Sequence, residues 1–392
     1  MRRSFALAAL VCGALHAETV LVLPFFNQSS SQNLDWIGES IAESLNDTLA
    51  YQGLLVLNRD DRLEAYRRLS LRPGAELTPA SVLKIGQALD ASTVIYGYYQ
   101  RTPANASAAA NSSLRVSVRI VDLKRLRPVA EFTEIRSLED LGALEAHLGW
   151  QTLQRLSPKD APAEQVFMQA RPPVRLDAVE SYVRGLLAQT PDQRQRFFMQ
   201  SARLDEHYSP PRYQLGMAFW SSKDYPNAGT WLAKVDSSNP HYLEAQFFLG
   251  LCLYHGGDFA GAGRSFQLVA ASVPLNEVFN NLGAAQNRNN NPGGAIANFQ
   301  KALDGDSADP DYHFNLGYAL WKAGKFPEAV ASLRAVLERS PGDTEATSLL
   351  GRALKKDGPR PGDPKTEARE RLKTNYEEDA YRQLQAELKP KK

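Results

Sequence analysis

Cysteine is nearly absent from this chain of 392 residues, which has only Cys12 and Cys252. If Cys12 leaves with an N-terminal leader, Cys252 has no partner within the chain, which excludes a disulfide-stapled scaffold. Net charge is also missing. A formal value of +1 gives no whole-chain electrostatic case for nucleic acid. Beyond residues 1–17 histidine is sparse and dispersed: His147, His207, His241, His255 and His313 show no metal-ligand spacing. Phosphate loop, zinc-protease helix and nucleophile elbow are all lacking, and Gly261-Ala262-Gly263 has no third glycine for a dinucleotide fingerprint. No catalytic residue, cofactor or metal is therefore expected, and the chain reads as non-enzymatic. A secreted enzyme of unrecognised type stays open as one alternative.

Long apolar runs are missing as well, apart from one at the start that is too short to span a bilayer. Arg2 and Arg3 precede an apolar stretch at 5–15, and Ala17 offers a cleavage point before Glu18. Residues 1–17 thus read as a secretory signal, with a buried N-terminal helix as the alternative. Val11 before Cys12 stands where a lipoprotein signal would need a small residue. Cys252 is read as a small packing residue.

What is abundant is a Leu-Gly pair that keeps returning, at Leu215-Gly216, Leu249-Gly250, Leu282-Gly283, Leu316-Gly317 and Leu350-Gly351, spaced 34, 33, 34 and 34 residues apart. Twelve residues after the glycine comes Ala228, Ala262, Ala295 or Ala329; four further on stands Leu232, Phe266, Phe299 or Leu333. Glycine in a helix interior costs about 1 kcal/mol against alanine. Its recurrence predicts a close approach of two helix backbones, completed by the recurring alanine. The period and pattern resemble the tetratricopeptide repeat. That resemblance implies an all-α solenoid over 177–358, with 177–204 as an atypical first unit, and a function in binding a protein or peptide.

Ahead of the repeats, residues 18–157 read as an α/β domain. Short apolar strands are predicted at 20–25, 54–57 and 93–99, with helices from Asp35 to Gly53, from Asp60 to Leu69 and from Thr78 to Leu89. A soft loop is predicted at 103–113. Residues 114–120 alternate strictly and pair with 129–135, and Ser137 with Asp140 is expected to box the start of a helix to about Leu156. Val22-Leu23-Pro24-Phe25 with Asn27 and Ser29, Ile85-Gly86-Gln87-Ala88-Leu89, Val94-Ile95-Tyr96-Gly97 and Ile120-Val121-Asp122 together resemble the amino-terminal domain of TolB, CsgG and FlgO. Relatives turn with glycine after that Asp, where this chain has Leu123-Lys124-Arg125. The resemblance implies a bacterial protein that is periplasmic or outer-membrane-associated, with possible peripheral attachment to the envelope. Residues 158–176, rich in proline, read as a linker.

With the Leu-Gly pair at positions seven and eight of each unit, positions five, nine and twelve share one face of the first helix. By the resemblance, that face lines a concave groove. The candidate lining is Tyr213, Met217, Trp220, Phe247, Tyr254, Asn287, Phe314, Tyr318, Trp321, Arg352 and Lys355. Asn281 and Asn315, at position six, resemble the asparagine ladder that holds peptide backbone in the repeat arm of a glycosyltransferase. Trp220, Tyr254 and Trp321 are expected to be binding anchors whose loss spares the fold. Beyond the last unit, Ala368, Leu372, Tyr376, Ala380, Leu384 and Leu388 recur every four residues. Residues 359–392 therefore read as carrying an amphipathic helix that caps the solenoid, or alternatively docks a partner.

The fold class expected is an α/β N-terminal domain with a mixed sheet and helices, then an all-α solenoid with a C-terminal capping helix. The function expected is an exported protein-interaction adaptor in an envelope assembly or secretion system, with no nucleic-acid partner. An oligomerising or envelope-anchored assembly factor, whose N-terminal domain is the active part, is the other alternative. Oligomeric state does not follow from the sequence.

Overall fold

The computed structural model describes residues 19–29, 31–102, 113–171, 173–360 and 369–388. The leader reading at 1–17 and most of the loop at 103–113 lie outside these. Among the described residues no helix is long and apolar enough to cross a membrane.

The α/β unit contains β1 (Thr19–Val22), β2 (Phe26–Asn27), α1 (Trp36–Tyr51), β3 (Leu55–Val56), α2 (Arg59–Arg68), α3 (Pro79–Ala88), β4 (Thr93–Thr102), β5 (Ser113–Asp122), β6 (Arg127–Ser137) and α4 (Leu141–Leu156). The strand order is β3-β1-β4-β5-β6, with β2 also pairing β4. The first strands are parallel and β4, β5 and β6 antiparallel, as the alternation at 114–120 predicts. Period-two geometry decides the layers. Val20 and Val22 face the core under α1 and α4, whereas Leu21 and Leu23 face the core that includes Ala65 of α2 and Val82 and Ile85 of α3. Asn27 explains its motif: its side chain donates to the Ser31 carbonyl (2.9 Å) and to Asp35 (2.7 Å), and accepts from the Ser29 amide (2.9 Å).

Two local expectations are corrected. Ser137 does not box α4; a 3-10 turn at Leu138–Asp140 intervenes, and the Ser137 hydroxyl goes to Glu139. The glycine-free hairpin after Asp122 still closes. Leu126 takes the left-handed conformation at φ 49°, and Asp122 Oδ1 accepts from the Arg125 amide at 3.0 Å.

The described residues of 158–176 are packed rather than tethered loosely. They form α5 (Glu164–Gln169), whose Phe167 is buried in the core beneath α1 and α4. That same core takes in Val179, Tyr182 and Phe198 from α6 (Leu176–Leu187) and α7 (Pro191–Leu204). Arg59 donates to the Leu186 carbonyl (3.0 Å) and Arg184 to Asn33 (2.8 Å). Continuous apolar burial and these cross-links join the α/β unit to the first helical pair.

Glu145 is buried in this region and accepts from the Ser40 hydroxyl at 2.6 Å. Burial pushes its carboxyl up to about 7 from an ordinary 4.5. The folded state thus keeps a proton that the unfolded chain has released, and stability contributed by this group is lost as pH rises from about 4.5 through 7. Calorimetry at pH 5 and pH 8 should show Glu145→Gln losing less stability than the parent, the difference being roughly 1–3 kcal/mol. Equal losses in both proteins would overturn this assignment.

The solenoid continues with α8 (Pro210–Ser221), α9 (Tyr225–Leu232), α10 (Tyr242–His255), α11 (Phe259–Ser272), α12 (Asn276–Arg288), α13 (Pro292–Gly305), α14 (Pro310–Lys322), α15 (Phe326–Arg339) and α16 (Thr344–Leu354). Its interhelix turns place Lys223, Gly257, Asn290 and Gly324 in the left-handed region, the geometry that ends a helix and reverses the chain. The seam differs from the expectation in one respect. The large residue, not the alanine, lies nearest the glycine: a Cβ on Gly250 would stand 2.7 Å from the Phe266 ring, and one on Gly283 would stand 2.8 Å from Phe299. Cys252 packs in this core, where burial pushes its thiol up to about 12.

The C-terminal helix is shorter than its four-residue period predicts. Among the described residues beyond 358 only α17 (Glu378–Leu388) is helical, and residues 371–377 form neither helix nor strand. Leu372, Tyr376 and Tyr381 pack against the core of the middle repeats, and Leu372 also meets the core that contains α16. Of the four-residue period, Leu372 and Tyr376 are anchors in the groove, whereas Ala380 and Leu384 are exposed.

Candidate peptide-binding groove

The first helices of successive repeats turn polar side chains inward at α12 and α14. Asn280, Asn281 and Asn315 are fully buried, and buried amides require partners. They find them in the main chain of residues 371–373. Arg371 donates its N–H to Asn315 Oδ1 (2.8 Å), and its carbonyl accepts from Asn315 Nδ2 (2.8 Å) and Asn280 Nδ2 (2.9 Å). Lys373 donates to Asn281 Oδ1 (2.9 Å) and accepts from Asn281 Nδ2 (2.8 Å). In an extended chain the N–H and C=O of one residue point the same way and alternate residues share a side. The ladder at 371 and 373 reads that geometry without regard to side chains.

Side chains are read by charge. Glu370, buried, accepts from Asn287 (2.7 Å), from Arg288 (2.5 Å) and from the Tyr254 hydroxyl (2.8 Å). Arg371 forms a two-pronged bond to Asp343 (2.7 and 3.0 Å) and lies 3.7 Å over the Phe314 ring. Its burial alone would lower its pKa, but bonding to Asp343 outweighs that and raises it; the same bond lowers Asp343. Lys373 Nζ sits 2.6 Å from Asp309 and 2.7 Å from Asp311, and these acids likewise outweigh burial and raise its pKa. Tyr376 stacks on Phe247 at 4.9 Å, and the Glu377 amide donates to Glu277 (3.0 Å). Running from α16 back towards α10, the segment fills the middle of the groove.

Of the residues singled out from sequence, Phe247, Tyr254, Asn281, Asn287, Phe314 and Asn315 converge on this segment. The others do not. Tyr213 stacks on His241 (4.4 Å), and Met217 packs beside the core of the second unit. Trp220 leans on Tyr225 and Phe248 near an interhelix turn. Trp321 is fully buried, its Nε1 donating to the Asp357 carbonyl (2.7 Å) while Arg352 lies 4.3 Å over its ring. Tyr318 stacks on Trp321 and is buried with it. Lys355 is exposed at the end of α16.

The sequence reading missed Arg288, Asp309, Asp311 and Asp343. Acids at helix starts are ordinary caps and dipole partners, so nothing in their spacing marked them as a binding set. It also missed the segment at 370–377, whose alternation of Glu, Arg, Leu and Lys is a signal visible only once helix is discarded.

The tetratricopeptide repeat profile matches residues 213–277, 280–344 and 314–358. No curated protein matches the chain in sequence. Among solved structures, MamA from Desulfovibrio magneticus RS-1 is 25% identical, with a TM-score of 0.37 over 41% of this chain and 92% of that one. A MamA double mutant is 26% identical, with a TM-score of 0.37 over 41% of this chain and 91% of that one. YrrB, described as a TPR protein with an unusual peptide-binding site, is 18% identical, with a TM-score of 0.36 over 49% of this chain and 90% of that one. By that profile, the solenoid from residue 213 to residue 358 is built of tetratricopeptide repeats.

Proposed function

We propose that this protein is a non-enzymatic adaptor that binds an extended stretch of a partner protein in the concave groove of its repeats. The observation that carries this reading is the asparagine ladder, in which Asn280, Asn281 and Asn315 donate to a main chain and Asn281 and Asn315 also accept from it. A buried amide set of this kind is costly unless a backbone lies against it. The α/β unit, by its resemblance to TolB and CsgG, is read as placing the adaptor in a bacterial envelope assembly or secretion system after export and removal of residues 1–17. Groove residues that meet the partner are Phe247, Tyr254, Asn281, Asn287, Phe314 and Asn315, with Tyr213, Met217 and Trp220 extending the surface towards the first repeats.

A photo-crosslinking residue placed at Tyr213 in the full chain tests this in the envelope fraction of a native host. A discrete protein adduct is expected, lost on Asn281→Ala. Adducts confined to the chain itself, or indifferent to Asn281, would remove the groove from consideration. A second reading, assembly through the α/β unit, is favoured by one observation: β6 is an open sheet edge with Val129 and Ile135 exposed.

A further inference from the structure

We propose that the groove selects a particular class of ligand, an extended peptide carrying an acid, an arginine, an apolar residue and a lysine in succession, with an aromatic three residues later. On this proposal the chain's own residues 370–376 occupy the site as a tethered competitor. The inference rests on the adaptor reading and specifies it.

Each position of that pattern has a counterpart that a different residue would leave unmatched. The acid is set by Arg288, Asn287 and Tyr254, which meet the Glu370 carboxylate with no exposure of its side chain. A neutral residue there would take from the half-buried Arg288 guanidinium the carboxylate it pairs with. The arginine is set by geometry as well as charge, because Asp343 is gripped through two nitrogens while the Phe314 face receives the planar group. Lysine could satisfy neither the fork nor the stacking. Leu372 packs between the cores of the middle and last repeats. The following lysine reaches the acid pair Asp309 and Asp311. The aromatic fills the place beside Phe247. The ladder of asparagines supplies affinity for any extended backbone; the charges supply choice.

The occupant belongs to the same chain, so it enters at a local concentration on the order of millimolar for a short tether. An outside peptide of the same chemistry must displace it, and occupancy by a partner is thereby conditional on releasing the segment. Charged contacts at three positions and an exposed polar stretch at Thr374 and Asn375 make that release reversible without disturbing the repeat seam.

The test uses the full chain and a fluorescein-labelled synthetic peptide with the sequence of residues 369–379. Anisotropy titrations compare the parent with Glu370→Ala/Arg371→Ala/Lys373→Ala, and with Arg371→Ala alone in case the triple variant folds poorly. The peptide should bind the triple variant at least tenfold more tightly than the parent, with Arg371→Ala intermediate, and a scrambled peptide should not bind. Equal affinity for parent and variants overturns the tethered competitor; equal binding of the scrambled peptide overturns the selectivity. A parent that sediments as a dimer and a variant that sediments as a monomer would place the segment in a neighbour's groove, overturning the intramolecular form. A Tyr213 adduct with no peptide binding would remove this ligand class and leave the adaptor; peptide binding with no adduct would do the reverse.

Discussion

Asn315→Ala is expected to free residues 369–377 while leaving the solenoid folded. Asn315 makes two hydrogen bonds to Arg371 and a third to Asn280 Oδ1 (2.8 Å). A hydrogen bond contributes about 1 kcal/mol net, and more where a buried partner is left unsatisfied. Losing the two that hold Arg371, with the backbone groups they satisfied left bare, should lower the free energy of local opening by about 2–4 kcal/mol. Amides of that segment would then exchange with solvent roughly 30- to 1000-fold faster, because local opening sets the rate. Hydrogen exchange followed by mass spectrometry reads this directly. The helical seam does not involve Asn315, so exchange in α13 and α15 should hardly change. Protection at 369–377 equal to the parent's would mean that the ladder does not hold the segment.

Trp321→Ala is expected to damage the fold itself, contrary to the reading of Trp321 as a groove anchor. The indole is fully buried, bonded to the Asp357 carbonyl and covered by Arg352. Removing a buried aromatic of this size costs about 3–5 kcal/mol through lost transfer energy and the cavity left behind. Trp220 is only half-buried, and its truncation should cost appreciably less. Thermal melts of the two variants provide the comparison. If Trp321→Ala melts with the parent while peptide binding collapses, the side chain belongs to the groove after all.

Periodicity explains how these two tryptophans came to be read alike. Both hold position twelve of a unit, and a repeat phase defines which face of a helix a residue occupies. It cannot define what lies over that face. At α14 the chain returns at Asp357 and seals the indole; at α8 no such return occurs among the described residues. The same limit applies to the fifth Leu-Gly pair. Gly250 and Gly283 are pressed by Phe266 and Phe299, yet Gly351 has open space around the place of its Cβ, since no second helix of that unit packs on it among the described residues.

By itself the sequence determined what local patterns specify. The glycine seam set the solenoid and its period, because only a missing side chain lets two helices approach that closely. Alternation at 114–120 set a half-buried antiparallel strand, and apolar runs at 20–25 and 93–99 set the buried strands beside it. Asn281 and Asn315 were legible as a ladder from their equal positions in adjacent units. Tertiary structure alone decided what those asparagines hold. Residues 370–377 carry apolar side chains at a helical interval, and intrinsic propensity does not oppose a helix there. Helix formation is cooperative and weak in a short polar segment. Main-chain bonds to three buried amides, together with charge pairs to Arg288, Asp309, Asp311 and Asp343, outweigh it, and every one of those partners lies at least 28 residues away in the chain.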